Sequence, residues 1–330
     1  MVVRLQHPTT RARVTLIGTA HLSLSSNRQV DALIRSERPD AVMVEVDASR
    51  LERLGLAERD FAVPFRTSDG IDPPPRADDL EDAAARSRAP WWRFAARDAA
   101  LDTFAAGARG LLNAMYDDIA TDTDADAEGL RPGGEFAAAI AAANAARPPV
   151  PVVLGDRDSR ATLRRVGELA LRGGDPGGLL PRMYAISAET LAPVREAVAA
   201  KATAAAAAAA DGATPAAGDG EGDDVVNIGT VTEGEEFSML VEEIKRRGDV
   251  RAQLVTRMEA EVPEIARAML GERDFIMAEA IRRELPASST DDGAAVPAPA
   301  EPGRPLVVGV VGAAHLAGIQ RNLERAWQEE

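Results

Sequence analysis

Two of the three histidines in this chain occupy matched settings at opposite ends of the sequence. Val14-Thr15-Leu16-Ile17 runs into Gly18-Thr19-Ala20-His21, and Leu306-Val307-Val308-Gly309-Val310-Val311 runs into Gly312-Ala313-Ala314-His315. Each is an apolar strand pattern closed by G-x-A-H. An imidazole titrates near neutral pH and ligates metal ions when neutral. Two imidazoles with one or two carboxylates form a common set for a divalent ion, with positions left open for water or substrate. Such an ion lowers the pKa of bound water and polarises a carbonyl. The competing reading is structural: each His closes its strand end by hydrogen bonding.

The carboxylates that would complete the set sit at comparable places. Ala41 to Val46 reads as a buried strand finishing in Glu45-Val46-Asp47, with Arg50 as the nearest local partner. Pro149 to Leu154 reads as another, finishing in Gly155-Asp156-Arg157-Asp158. Glu135 and Glu272 each open a helix, where the dipole favours an acid in any case. A surface ion pair within a turn, worth about 0–1 kcal/mol, accounts for Asp156-Arg157-Asp158 equally well. Taken singly, each of these residues has a structural explanation. Taken together, the strand ends carry titratable groups while the strand bodies carry none. Gly18 and Gly312 are expected to let the backbone turn sharply before each His.

The elements that must position these groups are strands and helices in alternation. After the strand at 13–18, Ser23 to Ser26 can cap a helix whose Val30, Leu33 and Ile34 share one face. Pro39-Asp40 ends it and the strand at 41–46 follows, a βαβ unit with a right-handed crossover. Trp91 to Met115 and Phe136 to Ala146 read as helices, as does the stretch from Ser159, with Leu163, Val166, Leu169 and Ala170 inward. Residues 173–182 read as a Gly/Pro-rich turn region. Helical periodicity returns over 233–285, beginning with Phe237, Leu240, Val241 and Ile244. The strands are short, continuous and aliphatic, which predicts an α/β fold with a mostly parallel sheet covered by helices on both faces. Ligands in such sheets bind beyond the carboxyl ends of the strands. One domain over 1–330 is expected, with irregular or low-complexity inserts at 64–90, 199–232 and 286–305; the Ala run at the start of the second can extend a helix.

Composition removes several classes of function. The net charge of −15 disfavours nucleic acid, whose phosphates need clustered Lys and Arg. The absence of Cys excludes disulfides, Cys-ligated zinc and thiol nucleophiles. No apolar run is long enough for a transmembrane helix, and the N-terminus lacks the blocks of a secretory signal. An intracellular, soluble protein is the expectation. G-x-S-x-G, H-E-x-x-H, Walker A and a strand-linked G-x-G-x-x-G are all missing, against serine hydrolases, zincins, nucleotidases and dehydrogenases.

An ordered set of motifs resembles the TraB/PrgY family, which includes the Tiki-type metalloproteases. The set comprises Gly18-Thr19-Ala20-His21 with Ser23 and Ser25-Ser26; Pro39-Asp40 with Val44-Glu45-Val46-Asp47 and Arg50; and Pro132-Gly133-Gly134-Glu135-Phe136. Leu154-Gly155-Asp156-Arg157 with Thr162, Pro263-Glu264-Ile265, Glu272-Arg273-Asp274 and Gly312-Ala313-Ala314-His315 with Gly318-Ile319 complete it. It covers most of the chain outside the inserts and looks closest to the eukaryotic TraB-domain proteins.

The resemblance implies an α/β fold related to the erythromycin-esterase and ChaN-like group, with both histidine motifs facing one cleft. It implies a divalent-metal-dependent hydrolase acting on a peptide or related amide. Metal ligands would be His21, His315 and Glu45, with Mn or Co favoured and Zn admissible. Glu45 would also activate water, and Arg157 or Arg273 would stabilise the developing oxyanion, with Asp47, Arg50, Glu135, Asp156 and Glu272 in support. A non-enzymatic alternative stays open: a regulator or organelle-surface adaptor that binds a peptide or protein partner. A haem or small-ligand binder, by analogy with ChaN, is a third. Many members of the family carry C-terminal membrane spans, and several eukaryotic ones associate with the mitochondrial outer membrane. This chain reads as a soluble member or as one truncated before such an anchor.

Overall fold

The computed structural model of the chain describes residues 1–19, 24–90, 92–122, 133–174, 178–210, 243, 247–285 and 305–330. The elements in order are β1 (Val2–Gln6), β2 (Arg13–Thr19), α1 (Leu24–Glu37), β3 (Ala41–Val44), β4 (Arg66–Thr67), α2 (Ala77–Arg88) and α3 (Trp92–Asp122). They continue with α4 (Gly134–Ala145), β5 (Val152–Leu154), α5 (Ser159–Gly173), α6 (Leu179–Ala210), α7 (Gly248–Glu261) and α8 (Pro263–Ala266). A π-helical turn (Arg267–Gly271), α9 (Glu272–Arg282), β6 (Leu306–Gly312) and α10 (Leu316–Glu329) close the series. The fold is α/β, as the strand pattern predicts.

The six strands form one sheet in the order β1-β2-β6-β3-β5-β4. Only β1 runs antiparallel to its neighbour; the other pairings are parallel. The expected β2–α1–β3 unit is present, but its two strands are not neighbours, because β6 lies between them. Register aligns the carboxyl ends that matter. Thr19 is opposite Gly312, and Val44 is opposite both Val310 and Leu154.

Strand alternation sorts the apolar side chains onto two faces. Leu16, Met43, Val153, Val307 and Val311 pack with α9 and α10, through Ile276, Met277, Ile281, Ile319 and Leu323. Ile17, Val42, Val44, Val152, Val308 and Val310 pack with α1 and α4, through Val30, Ile34, Phe136 and Ile140. A sheet buried on both faces needs aliphatic residues at every position, which is why these strands read as continuous runs rather than alternating ones. Each such side chain contributes about 1.5–3 kcal/mol by leaving water. Phe136 is fully buried beneath the strand ends; its truncation to Ala costs about 3–5 kcal/mol. A separate cluster joins α5, α6 and α8 through Val166, Leu169, Ile186, Val262 and Ile265.

Three sequence expectations change. The stretch 64–90 is not wholly irregular: it supplies β4, which pairs with β5, and the helix α2. Of the turn region 173–182, residues from Leu179 onward belong to α6, whose later turns absorb the Ala run to Ala210. Gly18 is not in a turn: a Cβ there would lie 2.4 Å from Leu316 Cδ1, so the glycine permits close approach of α10 to β2. His21, Phe237, Leu240, Val241, Ile244 and the insert residues 211–232 and 286–304 lie outside the described residues.

Candidate functional site

Three strand ends and one helix start converge. Beyond Val44 the chain leaves β3 and presents Glu45. Beyond Gly312 two alanines lead to His315, which closes its turn through a hydrogen bond from its N–H to Gly312 O and stands at the start of α10. Beyond Leu154 come Gly155 and Asp156, and Asp158 caps α5 by accepting from the N–H groups of Arg160 and Ala161 at 2.8 and 3.1 Å. Opposite them, the π-helical turn delivers Glu272-Arg273-Asp274 into the first turn of α9. Such turns recur at functional sites because the extra residue re-aims the side chains that follow.

Glu45, Asp156, Asp274 and His315 are all buried. Arg273 ties the first two together. Its Nη2 donates to Glu45 Oε1 at 2.5 Å and to Asp156 Oδ2 at 2.8 Å, and its Nε donates to Asp156 Oδ1 at 2.8 Å. The other oxygen of Glu45 accepts the Gly312 N–H at 2.6 Å. His315 Nδ1 lies 2.6 Å from Asp274 Oδ1, and its Nε2 lies 3.3 Å from Glu45 Oε1. The imidazole is therefore clamped between two carboxylates. Arg50, half-buried, adds a hydrogen bond to the Glu45 carbonyl at 3.4 Å and an ion pair with Asp156 at 3.5 Å.

The electrostatics follow from that clamp. Burial, the largest single influence, favours the neutral imidazole, as does the charge of Arg273, but the charge of Glu45 and the hydrogen bonds with Asp274 and Glu45 together outweigh them and lift His315 to about 9. Burial raises the Asp274 carboxyl above its ordinary range, and its hydrogen bond with His315 only partly opposes that. Burial also raises Asp47, against hydrogen bonds from Ser49 and the charge of Arg50. Asp47 accepts from the Ser49 N–H at 2.8 Å and from the Ser49 hydroxyl. Its second oxygen is buried with no hydrogen-bond partner among the described residues. Glu135 is fully buried in the first turn of α4, with Thr19 Oγ1 3.2 Å from its Oε1. It reaches that position because Gly133 turns the chain at φ +83°, a conformation that suits glycine.

Of the residues singled out from sequence, Glu45, Asp156, Arg273 and His315 share direct contacts. Arg157 does not join them: its guanidinium reaches Glu272 at 3.0 Å, Thr162 Oγ1 and the Ala268 carbonyl. Glu272 faces the same way, accepting from Arg157, Arg165 and Arg267. Arg50 pairs with Asp156, where sequence proximity points to Glu45. Asp274 is the residue that reading by strand ends passes over. Its signal is compositional: three consecutive charged residues opening a helix, too many to bury without partners. The third histidine, His7, is structural. Its Nδ1 accepts the N–H groups of Thr9 and Thr10, and its Nε2 lies 3.0 Å from Glu330.

A cleft of about 570 Å³ between α7 and α10 meets this constellation at Asp274. Asp274, Ala313 and Ala314 line it on the site's side, and Val255 and Leu270 on the other. Its size suits a short peptide segment or a small molecule.

A divalent ion fits this chemistry on two counts. Three buried carboxylates, Glu45, Asp156 and Asp274, gather around Arg273, Arg50 and the His315 ring, and nearby Asp47 keeps a buried Oδ2 with no hydrogen-bond partner among the described residues. With Nδ1 held by Asp274, His315 Nε2 is the ring atom left for an ion, which would have to displace the proton that Glu45 favours there. Among the described residues, no three His, Asp or Glu side chains are gathered to hold an ion. Glu45 and His315 are two donors, and His21 lies outside those residues. No helix among the described residues is long and apolar enough to cross a membrane. No protein-family model matches the chain, and no match is found among curated proteins.

Proposed function

We propose that the cleft at the carboxyl ends of β3, β5 and β6 is the active site of a divalent-metal-dependent hydrolase of the TraB/Tiki type, acting on a peptide or related amide bond. The observation that carries the reading is His315 clamped between Asp274 and Glu45, with Glu45 also held by Arg273. His315 and Glu45 would hold the ion together with His21; a mixed nitrogen and oxygen set suits Mn, Co or Zn. Bound there, the ion supplies an activated water and a polarised carbonyl.

The chain's own groups do the rest. Asp274 fixes the His315 ring so that Nε2 points at Glu45, and its removal would let the ring turn. With the His315 proton displaced by the ion, Glu45, already oriented by Arg273 and Gly312, would be placed to take a proton from water. Arg273 is a fixed positive charge beside Glu45, placed to favour an oxyanion developing in the cleft. Ala313 and Ala314 leave room for a substrate backbone next to His315.

A binding module that recruits a peptide or protein partner is the second reading. The observation favouring it is that Glu45, Asp156, Arg273, Asp274 and His315 satisfy one another, so the network holds without an ion.

Metal analysis of purified protein separates the two. Stoichiometric Mn, Co or Zn in the wild type, lost in His21→Ala/His315→Ala, together with metal-dependent cleavage of a peptide library, is the expected result. No metal after reconstitution in a folded wild type would overturn the hydrolase in favour of the binding module.

A further inference from the structure

Behind the helix start that carries Arg273, Arg157, Arg165 and Arg172 line a second cavity of about 430 Å³, and Arg267 joins them at its floor through Glu272. Glu272 is its floor, accepting from Arg157 Nη1, Arg165 Nε and Arg267 Nε, each at 3.0 Å. Arg172 stands one turn beyond Glu168, the one acid of α5, which accepts from Arg164 at 3.3 Å and Arg165 at 3.4 Å. Four guanidinium groups against Glu272 and Glu168 leave an excess of two positive charges. The rest of the compensation comes from α2. Asp79 accepts from Arg165 and Arg172 at 2.7 Å and also from Arg267. Asp78 accepts from Arg267 at 2.7 Å, and Asp82 from Arg172 at 2.9 Å.

The other contacts of α2 run to α3 and are also polar or partly exposed: Arg86 pairs with Asp98 at 3.2 Å and lies over the Phe94 ring, and Asp82 accepts from Arg97 at 3.3 Å. None of its residues is buried, and Leu80 is 58% exposed. A helix of twelve residues is marginal by itself in water. Partly exposed ion pairs are individually weak and screened by salt. On the side facing α5 and α9, the helix sits on the arginines as a ligand sits on a receptor, attached through three carboxylates at positions i, i+1 and i+4.

We propose that Arg157, Arg165, Arg172 and Arg267 form a binding site for an acidic helical peptide segment of a partner or substrate protein, and that α2 is its internal occupant. The spacing of the arginines is the argument for a peptide: they already engage carboxylates on one face of a helix, through the forks that suit carboxylate recognition. An external segment carrying the same spacing would displace α2. Its apparent affinity is lowered by the fraction of molecules in which α2 is docked.

The test uses the full chain and a fluorescent synthetic peptide of residues 77–88, followed by anisotropy. Asp78→Asn/Asp79→Asn/Asp82→Asn removes the internal competitor without touching the arginines. Its affinity for the peptide should exceed that of the wild type by about tenfold or more. The gain should disappear when Arg172→Ala is added, and a peptide with the same residues scrambled should not show it. If circular dichroism shows the triple variant unfolded, Asp82→Asn alone is the comparison, with a smaller gain expected. A folded variant that fails to bind, binds the scrambled peptide equally, or ignores Arg172→Ala would overturn the proposal.

Discussion

Glu272 and Arg273 are adjacent in sequence and serve opposite networks. The Glu272 carboxylate gathers Arg157, Arg165 and Arg267 on one side of α9, while the Arg273 guanidinium joins Glu45 to Asp156 on the other. A helix turn places successive side chains about 100° apart, so the start of α9 acts as a partition between the candidate catalytic cleft and the arginine basin.

Arg273→Ala should be among the most damaging single substitutions in the site. It leaves Glu45 and Asp156 buried without their shared cation, a change that costs about 3–5 kcal/mol when one partner of a buried pair is removed. Denaturant unfolding should show the midpoint falling accordingly. Arg273→Lys should recover only part of the loss, because an ammonium group cannot reproduce the fork to Asp156. Equal stability of wild type and Arg273→Ala would mean that the pairs do not persist in solution.

Stability of the chelator-treated protein should fall between neutral and alkaline pH. The His315 pKa is raised in the folded state, from about 6.5 for a free imidazole to about 9. The stabilisation is complete below pH 6.5 and is lost as pH rises through about 9. His315→Gln should flatten that slope, and Asp274→Asn should move the His315 proton resonance to a lower titration midpoint. A His315 midpoint at or below that of a free imidazole would contradict the clamp.

At the acid end, the attachment of α2 should fail first. Burial raises Asp79, but the hydrogen bonds from Arg165, Arg76 and Arg172 prevail and hold its carboxyl well below the ordinary range. A depressed carboxylate contributes stability above its unfolded pKa of about 3.9 and loses it as pH falls further. Hydrogen exchange across residues 77–88 should therefore accelerate below about pH 4, before the sheet opens. High salt should mimic the effect at neutral pH.

Gly318→Ala tests the link between α10 and the site. A Cβ at position 318 would lie 1.7 Å from Asp274 Oδ2, so the Asp274 carboxylate must move. The expected cost is about 1–3 kcal/mol, the usual range for overpacking, and Asp274 can no longer hold His315 Nδ1. A calorimetric midpoint and a His315 titration unchanged from wild type would show that Asp274 has another place to go.

The parts of this architecture visible in sequence are those whose cause is local. Val14 to Ile17, Ala41 to Val44 and Leu306 to Val311 announce buried strands because both faces need aliphatic residues. Glu45, Asp156 and His315 stand out because they end such runs. Asp274 does not, since an acid in a first helical turn looks like a dipole partner until His315, 41 positions away, is placed against it. Likewise, α2 carries no apolar stripe: besides its polar contacts with α3, what holds it are Arg165, Arg172 and Arg267, far along the chain. The two-residue β4 and the edge strand β1, with only Val3 and Leu5 half-buried, are too slight to register as a pattern. The choice between Arg157 and Arg273 turns on which side of α9 each one faces, a tertiary fact.

The position of β6 sets a timetable for biosynthesis. This strand lies between β2 and β3, yet its first residue follows the end of β5 by 151 intervening residues. At translation rates of about 5–20 residues per second, roughly 8–30 s separate the synthesis of β5 from that of β6. Throughout that interval β2 and β3 lack their common neighbour, and their inner edges expose unpaired backbone groups and aliphatic side chains. The nascent chain is then most exposed to aggregation and most in need of a chaperone. Its sheet, and with it the placing of His315, is completed only when β6 arrives.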